Sequence, residues 1–186
     1  MPADNKSNRY DYDGRKNLVT VRMPTGIHEI FIASVEEAIH RQLRLIRDGS
    51  NGAALFAQKV HPTRSSEIYF PIGGALPNTK SKHEPDASFR HESARYPGVV
   101  IEVAYSQKRR SLRRLADDYL LDSDASVRVL VGLDIEYGNK GSRKATLSVW
   151  RPHVVHATDG NELRAVQEIT DEVCPILRQY SFVLNF

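Results

Sequence analysis

The stretch EPDASFRH, residues 84–91, and the stretch YPGVVIEVAYSQKRR, residues 96–110, decide the fold predicted from this sequence. The second stretch contains a run, residues 99–105, that is apolar on both faces apart from Glu102 at its centre. Strands that are apolar on both faces lie in the middle of sheets that are covered by helices on both sides. We therefore expect residues 99–106 to form a central strand that carries one buried carboxylate.

Two helices are predicted around this strand. Ser34 with Glu37 three residues later has the spacing of a capping box, and apolar side chains then recur at helical spacing. These signals predict a helix over residues 34–48, ended by Gly49. A second apolar stripe follows the central strand and predicts a helix within KRRSLRRLADDYLLDSD, residues 108–124.

The remaining apolar runs predict a mixed β-sheet. The run SVRVLVGLDIEY, residues 126–137, is expected to lie parallel to the central strand, because a helical crossover joins two parallel strands. Further strands are predicted over residues 53–60, 66–72, 86–91 and 144–152, the last ended by Pro152. The predicted class is therefore α/β, with a mixed central β-sheet flanked by α-helices in the order αβββαβ.

The domain organisation follows from the length and from local composition. A chain of 186 residues suits one compact domain, which we place at residues 18–152. Residues 1–17 are polar and charged, and they are expected to form a flexible N-terminal arm. Residues 153–186 show strand-like alternation, and they are expected to form a C-terminal extension that packs on the sheet or extends it.

Composition is typical of soluble globular proteins, because 40% of the residues are hydrophobic and 26% are charged. Cys174 is the only cysteine, so an internal disulfide is excluded and an intracellular location, cytoplasmic or nuclear, is expected. The sequence has no secretory signal and no apolar run of about 20 residues, so a membrane is not an expected partner. The net charge of +3 and the pI of 9.0 are compatible with binding to nucleic acid.

Glu102 needs a partner, because an isolated ionised carboxylate in an apolar strand is costly. One interpretation is a structural ion pair with an arginine, for instance from the following helix. The other interpretation is a metal site, because Asp86 follows Pro85 at the start of the neighbouring predicted strand. Two adjacent carboxylates repel each other, and a divalent cation between them relieves that repulsion. Both interpretations are open from these residues alone.

The order of these elements adds a family resemblance. Pro85-Asp86, then Glu102 on the next strand, then a helix and a parallel strand resemble the PD-(D/E)XK nuclease-like superfamily, which has the restriction endonuclease fold. The likeness covers roughly residues 34–151 and extends to a group of fungal proteins with that fold. It implies a restriction endonuclease-like core, in which the predicted helix over residues 34–48 is the first core helix.

The resemblance also implies an activity, that of a metal-dependent phosphodiester hydrolase, or nuclease, acting on DNA or RNA. In the superfamily the aspartate and the glutamate hold a divalent cation, and the backbone carbonyl after the glutamate often helps. Carried over to this sequence, the metal ligands are Asp86, Glu102 and Val103, and the cofactor is Mg²⁺ or Mn²⁺.

The position of the superfamily's catalytic lysine is the main departure from this pattern. That lysine stands two residues after the glutamate, where this chain has Ala104, whose methyl group cannot donate a hydrogen bond to water. Gln107 and Lys108 are the candidate replacements nearest to this position. The catalytic set expected from the resemblance is therefore Asp86, Glu102, Lys108 and Gln107.

Basic residues around the proposed site are candidates for contacts with phosphate groups. The set expected to bind nucleic acid is Lys80, Lys82, Lys108, Arg109, Arg110 and Arg114. Arg114 is a further candidate to replace the missing lysine, although its spacing to Asp118 predicts an ordinary i,i+4 ion pair on a helix. The missing lysine leaves a second function open, a catalytically inactive nuclease fold that binds nucleic acid or a protein. Self-association as a homodimer is open as well.

Overall fold

The computed structural model describes residues 9–72, 79–105, 109–135, 145–157 and 160–173. In that part of the chain there are three helices and ten strands, arranged in two sheets. In chain order they are β1 (Arg9–Asp13), β2 (Leu18–Arg22), α1 (Gly26–Arg47), α2 (Gly52–Gln58), β3 (Val60–Pro62), β4 (Ile68–Pro71), β5 (Lys80–His83), β6 (Ala87–His91), β7 (Val99–Tyr105), α3 (Arg109–Asp122), β8 (Val129–Ile135), β9 (Ala145–Ala157) and β10 (Gly160–Val173).

The larger sheet has six strands in the order β10-β9-β8-β7-β6-β3. Strands β7 and β8 are parallel and are joined by α3, whereas the other neighbouring pairs are antiparallel. The smaller sheet has four antiparallel strands in the order β2-β1-β5-β4. The predicted mixed α/β class is confirmed, and so are the central position of β7 and its parallel pairing with β8.

Both faces of the larger sheet are covered, which is why β7 is apolar on both sides. On one face Ile101 packs in a cluster with Phe31 and Val35 of α1. On the other face Val100 packs in a cluster with Leu120 of α3 and Phe70 of β4. Glu102 alternates with Ile101, so its side chain lies on the face covered by α3 and by the smaller sheet.

The predicted start of the first helix is wrong, because α1 begins eight residues earlier, at Gly26 instead of Ser34. The N-cap residue is Thr25, whose side-chain oxygen accepts a hydrogen bond from the backbone N–H of His28 at 3.3 Å. Ser34 lies inside the helix, where its hydroxyl donates to the carbonyl of Ile30 at 2.9 Å. A serine that satisfies its hydroxyl within the preceding turn needs no helix end there.

The strand predicted over residues 53–60 is also wrong, because most of this segment forms helix α2. Asn51 caps the helix by accepting a hydrogen bond from the backbone N–H of Ala54 at 3.0 Å. The buried residues Ala54 and Ala57 are three positions apart, which is helical spacing. The periodicity of a short apolar run does not distinguish a strand from a helix. Here the segment is a helix, and Asn51 caps its N-terminus.

The prediction that Pro152 ends its strand is wrong as well, because β9 continues to Ala157. Strand β8 pairs with β9 only as far as Trp150. At Pro152 the strand therefore pairs with β10 alone, with Ala165 opposite. A proline can occupy a strand that has a neighbour on one side, because its missing N–H can face the unpaired side.

The two ends of the chain add strands to this core. Residues 9–13 of the predicted arm form β1, which pairs with β2 and β5. Strand β10 pairs along β9 and adds one strand to the larger sheet, while residues 174–186 of the predicted extension lie outside the described residues. None of the described helices is long and apolar enough to cross a bilayer.

Candidate functional site

The structure brings Asp86 and Glu102 together. Strand β6 pairs with β7 with Ala87 opposite Ile101, so Asp86 comes next to Glu102. Asp86 Oδ2 accepts a hydrogen bond from the backbone N–H of Val103 at 2.7 Å. Both carboxylates are buried, with 5% and 2% of their side-chain surfaces exposed. Asp86 and Glu102, which we call the acidic pair, therefore lie side by side in a buried part of the fold.

Two arginines from the first two strands neutralise the acidic pair. Arg22 Nη1 lies 2.8 Å from Glu102 Oε2 and 3.6 Å from Asp86 Oδ1, so one guanidinium bridges both carboxylates. Arg9 Nη1 donates to Asp86 Oδ1 at 3.0 Å. The carboxylate in the central strand therefore has an arginine partner, and that arginine comes from β2 instead of α3.

Uncharged and ring donors complete the contacts of the acidic pair. The hydroxyl of Tyr119 on α3 donates to Glu102 Oε1 at 2.8 Å. His28 Nε2 on α1 lies 3.2 Å from Asp86 Oδ2. With the two arginines and the N–H of Val103, each of the four carboxylate oxygens is in contact with a donor from the protein.

The two arginines are themselves held in place by further carboxylates. Arg22 Nη2 lies 3.2 Å from Asp11 Oδ1, and the same oxygen accepts the backbone N–H of Glu84 at 2.9 Å. Arg9 Nη2 lies 3.0 Å from Glu29 Oε1. Each guanidinium thus has a carboxylate on either side, which fixes its orientation toward the acidic pair.

The two acids of the pair differ in how readily they hold a proton. Burial raises the pKa of Glu102 well above its ordinary value; the charge of Arg22 opposes this rise, and the charge of Asp86 adds to it. Burial also acts to raise the pKa of Asp86, but the hydrogen bond and charge of His28, with the charge of Arg22, hold that pKa below its ordinary value. Asp86 is therefore the more acidic member of the pair, and the negative charge of Glu102 depends on Arg22.

His28 and Tyr119 respond to the same charges. Burial acts to lower the pKa of His28, but the hydrogen bond and the charge of Asp86 outweigh burial and raise it. Burial raises the pKa of Tyr119 well above its ordinary value, and the charge of Glu102 raises it further. Tyr119 therefore keeps its proton and acts as a hydrogen-bond donor to Glu102.

The residues in this arrangement do not fit the divalent cation that the resemblance implies. Mg²⁺ and Mn²⁺ bind carboxylate oxygens directly, whereas here Arg9 and Arg22 already contact these oxygens and would repel a second cation. Val103 contacts the acidic pair through its backbone N–H, which donates to Asp86 Oδ2; this bond does not involve the carbonyl that was expected to bind the metal. Within the described ranges, no group of three or more His, Cys, Asp or Glu side chains has an arrangement that could hold a metal ion.

The expected position of the catalytic lysine is apolar. Ala104 is 6% exposed and packs in the same hydrophobic cluster as Leu112 and Leu120 of α3. The candidate replacements Gln107 and Lys108 lie outside the described residues. Arg114 is exposed, and its Nε lies 3.8 Å from Asp118 Oδ2, which confirms the predicted i,i+4 ion pair.

The basic residues expected to contact nucleic acid have different environments. Lys80 is exposed at the start of β5. Lys82 instead is buried, with its Nζ 2.6 Å from Glu67 Oε1 and 2.5 Å from Glu84 Oε1, so its charge is already neutralised inside the protein. Arg109 and Arg110 begin α3, and Lys108 lies outside the described residues. Lys82 is therefore already paired with two carboxylates, unlike the exposed Lys80.

Sequence reasoning missed four residues of the site, which are Arg9, Arg22, His28 and Tyr119. Tyr119 had a signal, because a tyrosine in the apolar stripe of a helix needs a partner for its hydroxyl. Arg22 ends the apolar run of β2, but nothing near it in sequence points to Glu102, which lies 80 positions away.

Comparison with known proteins adds no relative. No protein-family model matches the chain, and a search of curated proteins finds no significant match. The functional interpretation therefore depends on the residues and on the geometry described above.

Proposed function

We propose that this chain is a restriction endonuclease-like domain that binds nucleic acid without cleaving it. The observation that carries the proposal is the position of Arg22, whose guanidinium bridges Asp86 and Glu102. In this arrangement the chain keeps the acidic pair of the nuclease fold, but the guanidinium of Arg22 takes the place of an exchangeable metal ion.

The order of the elements supports the restriction endonuclease-like part of the proposal. Helix α1 precedes the strands of the larger sheet, Asp86 directly precedes β6, and Glu102 lies on the adjacent strand β7. Helix α3 then crosses over to β8, which pairs parallel with β7. This is the arrangement of helix, paired acidic strands, helix and parallel strand that the family resemblance implies.

Two features argue against hydrolysis. The first is energetic: moving Arg22 away would leave the buried carboxylate of Glu102 without its counter-charge, and breaking one side of a buried ion pair costs about 3–5 kcal/mol. The second is chemical: Ala104 offers no amine to position a water molecule or to stabilise charge on a phosphate. The arrangement therefore suits a structural role for the acidic pair.

Charge supports nucleic acid as the partner. The chain has a net charge of +3 and a pI of 9.0. Lys80, Arg90 and Arg95 are exposed, so their charges are available to a polyanion. Contacts of this kind give binding that weakens as the salt concentration rises.

The second candidate is the metal-dependent nuclease itself. The observation that favours it is the adjacency of Asp86 and Glu102, since Asp86 contacts the backbone N–H that directly follows Glu102. It requires that Arg9 and Arg22 leave the acidic pair, so that the carboxylate oxygens become free.

One experiment separates the two candidates. Purified protein is incubated with labelled single-stranded and duplex DNA and RNA, with Mg²⁺ or Mn²⁺, and both binding and cleavage are measured. We expect salt-sensitive binding, intact substrates, and the same binding by Asp86→Asn and Glu102→Gln, whose side chains keep nearly the same shape. Metal-dependent cleavage that disappears in both variants would establish the nuclease instead. Failure to bind any of these substrates at low salt would point to a protein partner.

A further inference from the structure

We infer that a cleft lined by Arg90 and Arg95 binds a phosphate group of a single-stranded nucleic acid. The inference rests on the proposed function, because it names the surface through which that binding takes place. It concerns residues that the family resemblance does not assign to any role.

The cleft lies beside the acidic pair on the same side of the larger sheet. It has a volume of about 280 Å³, is open to solvent, and is lined by the segment before β4, by β4 and β6, and by the turn before β7. Ser88, which lines it, is two positions after Asp86 on β6, which corresponds to about 7 Å along a strand. A strand of nucleic acid in the cleft would therefore pass close to the closed acidic pair.

Among the described residues, the two arginines of the cleft have no carboxylate partner. Both are exposed, and within the described part of the chain neither forms an ion pair. The acidic side chain that lines the cleft, Glu67, is paired with Lys82 at 2.6 Å and accepts the hydroxyl of Tyr69 at 2.6 Å. The net charge offered to a ligand in the cleft is therefore positive.

Aromatic rings hold one of these arginines and extend the surface. The guanidinium of Arg95 lies 5.0 Å from the centre of the Tyr96 ring. A guanidinium stacked on a ring keeps its N–H groups free at its edge, where they can contact two oxygens of one phosphate. Tyr69 lines the same cleft and is 45% exposed, so its ring is available for a base to stack on.

The hydroxyl groups in the wall are already engaged. Ser88 Oγ donates to the carbonyl of Arg64 at 2.7 Å, and Thr63 Oγ1 lies 2.8 Å from Ser88 Oγ. Ser66 Oγ donates to the carbonyl of Thr63 at 2.6 Å. These bonds keep the wall rigid and leave recognition of an anion to the two guanidinium groups. Single-strand binding sites combine cations with aromatic rings in this way.

The test measures binding of a dye-labelled oligothymidylate of about 12 nucleotides by fluorescence anisotropy at about 50 mM salt. Replacing Arg90→Ala together with Arg95→Ala is expected to raise the Kd at least about tenfold, because two charge-assisted contacts are lost. The matched control is Arg41→Ala with Arg128→Ala, which removes two other exposed arginines and is expected to change the Kd by less than about twofold. Tyr69→Ala is expected to weaken binding to the oligonucleotide but not to inorganic phosphate.

The outcomes distinguish this inference from the proposed function. If the protein binds the oligonucleotide but the cleft variant binds as tightly as the unaltered chain, the inference is overturned and the function stands. If no oligonucleotide binds, inorganic phosphate is added while the NMR signals of the arginine Nε–H groups are followed. Shifts confined to Arg90 and Arg95 would then establish the phosphate site and overturn the nucleic-acid function. Tighter binding to duplex than to single strand would overturn the single-strand part.

Discussion

The acidic pair and the arginine cleft lie near each other on one side of the larger sheet, but they use arginine in opposite ways. In the first, Arg9 and Arg22 are largely buried and contact Asp86 and Glu102. In the second, Arg90 and Arg95 are exposed and have no carboxylate partner in the described ranges. Arginine side chains therefore stabilise the fold at the acidic pair and are available to a ligand in the cleft. Burial and neighbouring charge decide which role it has.

The largest expected effect is on stability. Arg22→Ala leaves Asp86 and Glu102 buried without their shared counter-charge, so we expect the free energy of unfolding to fall by about 3–5 kcal/mol, measured by urea denaturation. Arg90→Ala, made at an exposed site that has no ion pair with any described residue, is the matched control and is expected to change stability by less than about 0.5 kcal/mol. Equal losses in the two variants would show that the distinction between the two regions is incorrect.

A smaller effect is expected from pH. The contact with Asp86 raises the pKa of His28 above its ordinary value of 6.5. A raised histidine pKa contributes stability that is fully present below pH 6.5 and is lost as the pH rises through the raised value. His28→Gln keeps a side chain that can donate to Asp86 but cannot be protonated. We expect this variant to lose less stability than the unaltered chain as the pH rises from about 6 to about 8.

The measurement for this prediction is the free energy of unfolding at several pH values in that range. The other titrating groups in contact with His28 are Asp86 and Glu29, and the pKa of Glu102, which lies beside Asp86, is also raised. These groups are present in both proteins, so the difference between the two curves isolates His28. Parallel curves of stability against pH for the two proteins would show that folding does not change the pKa of His28.

Much of the core could be predicted from the sequence because its signals are local. The apolar run of β7 and the apolar stripe of α3 are each visible within one short window of sequence. The start of α1 and the helical state of α2 were missed because competing local signals pointed elsewhere. Ser34 with Glu37 imitated a helix start, and the apolar run after Asn51 was short enough to suit a strand.

The site could be predicted only in part, and the reason is separation along the chain. Asp86 and Glu102 are close in sequence and lie on adjacent strands, so their meeting could be foreseen. Arg9 is 77 positions from Asp86, and Arg22 is 80 positions from Glu102. They reach the pair because β1 and β2 belong to a second sheet that packs on the first, and no local pattern shows that packing.

The closed state of the acidic pair is tested most directly by titrating the protein with Mn²⁺ in a calorimeter, beside the Asp86→Asn variant. We expect neither protein to show saturable binding, because Arg9 and Arg22 already contact the carboxylate oxygens. Saturable binding of Mn²⁺ by the unaltered chain that is lost in Asp86→Asn would contradict this expectation.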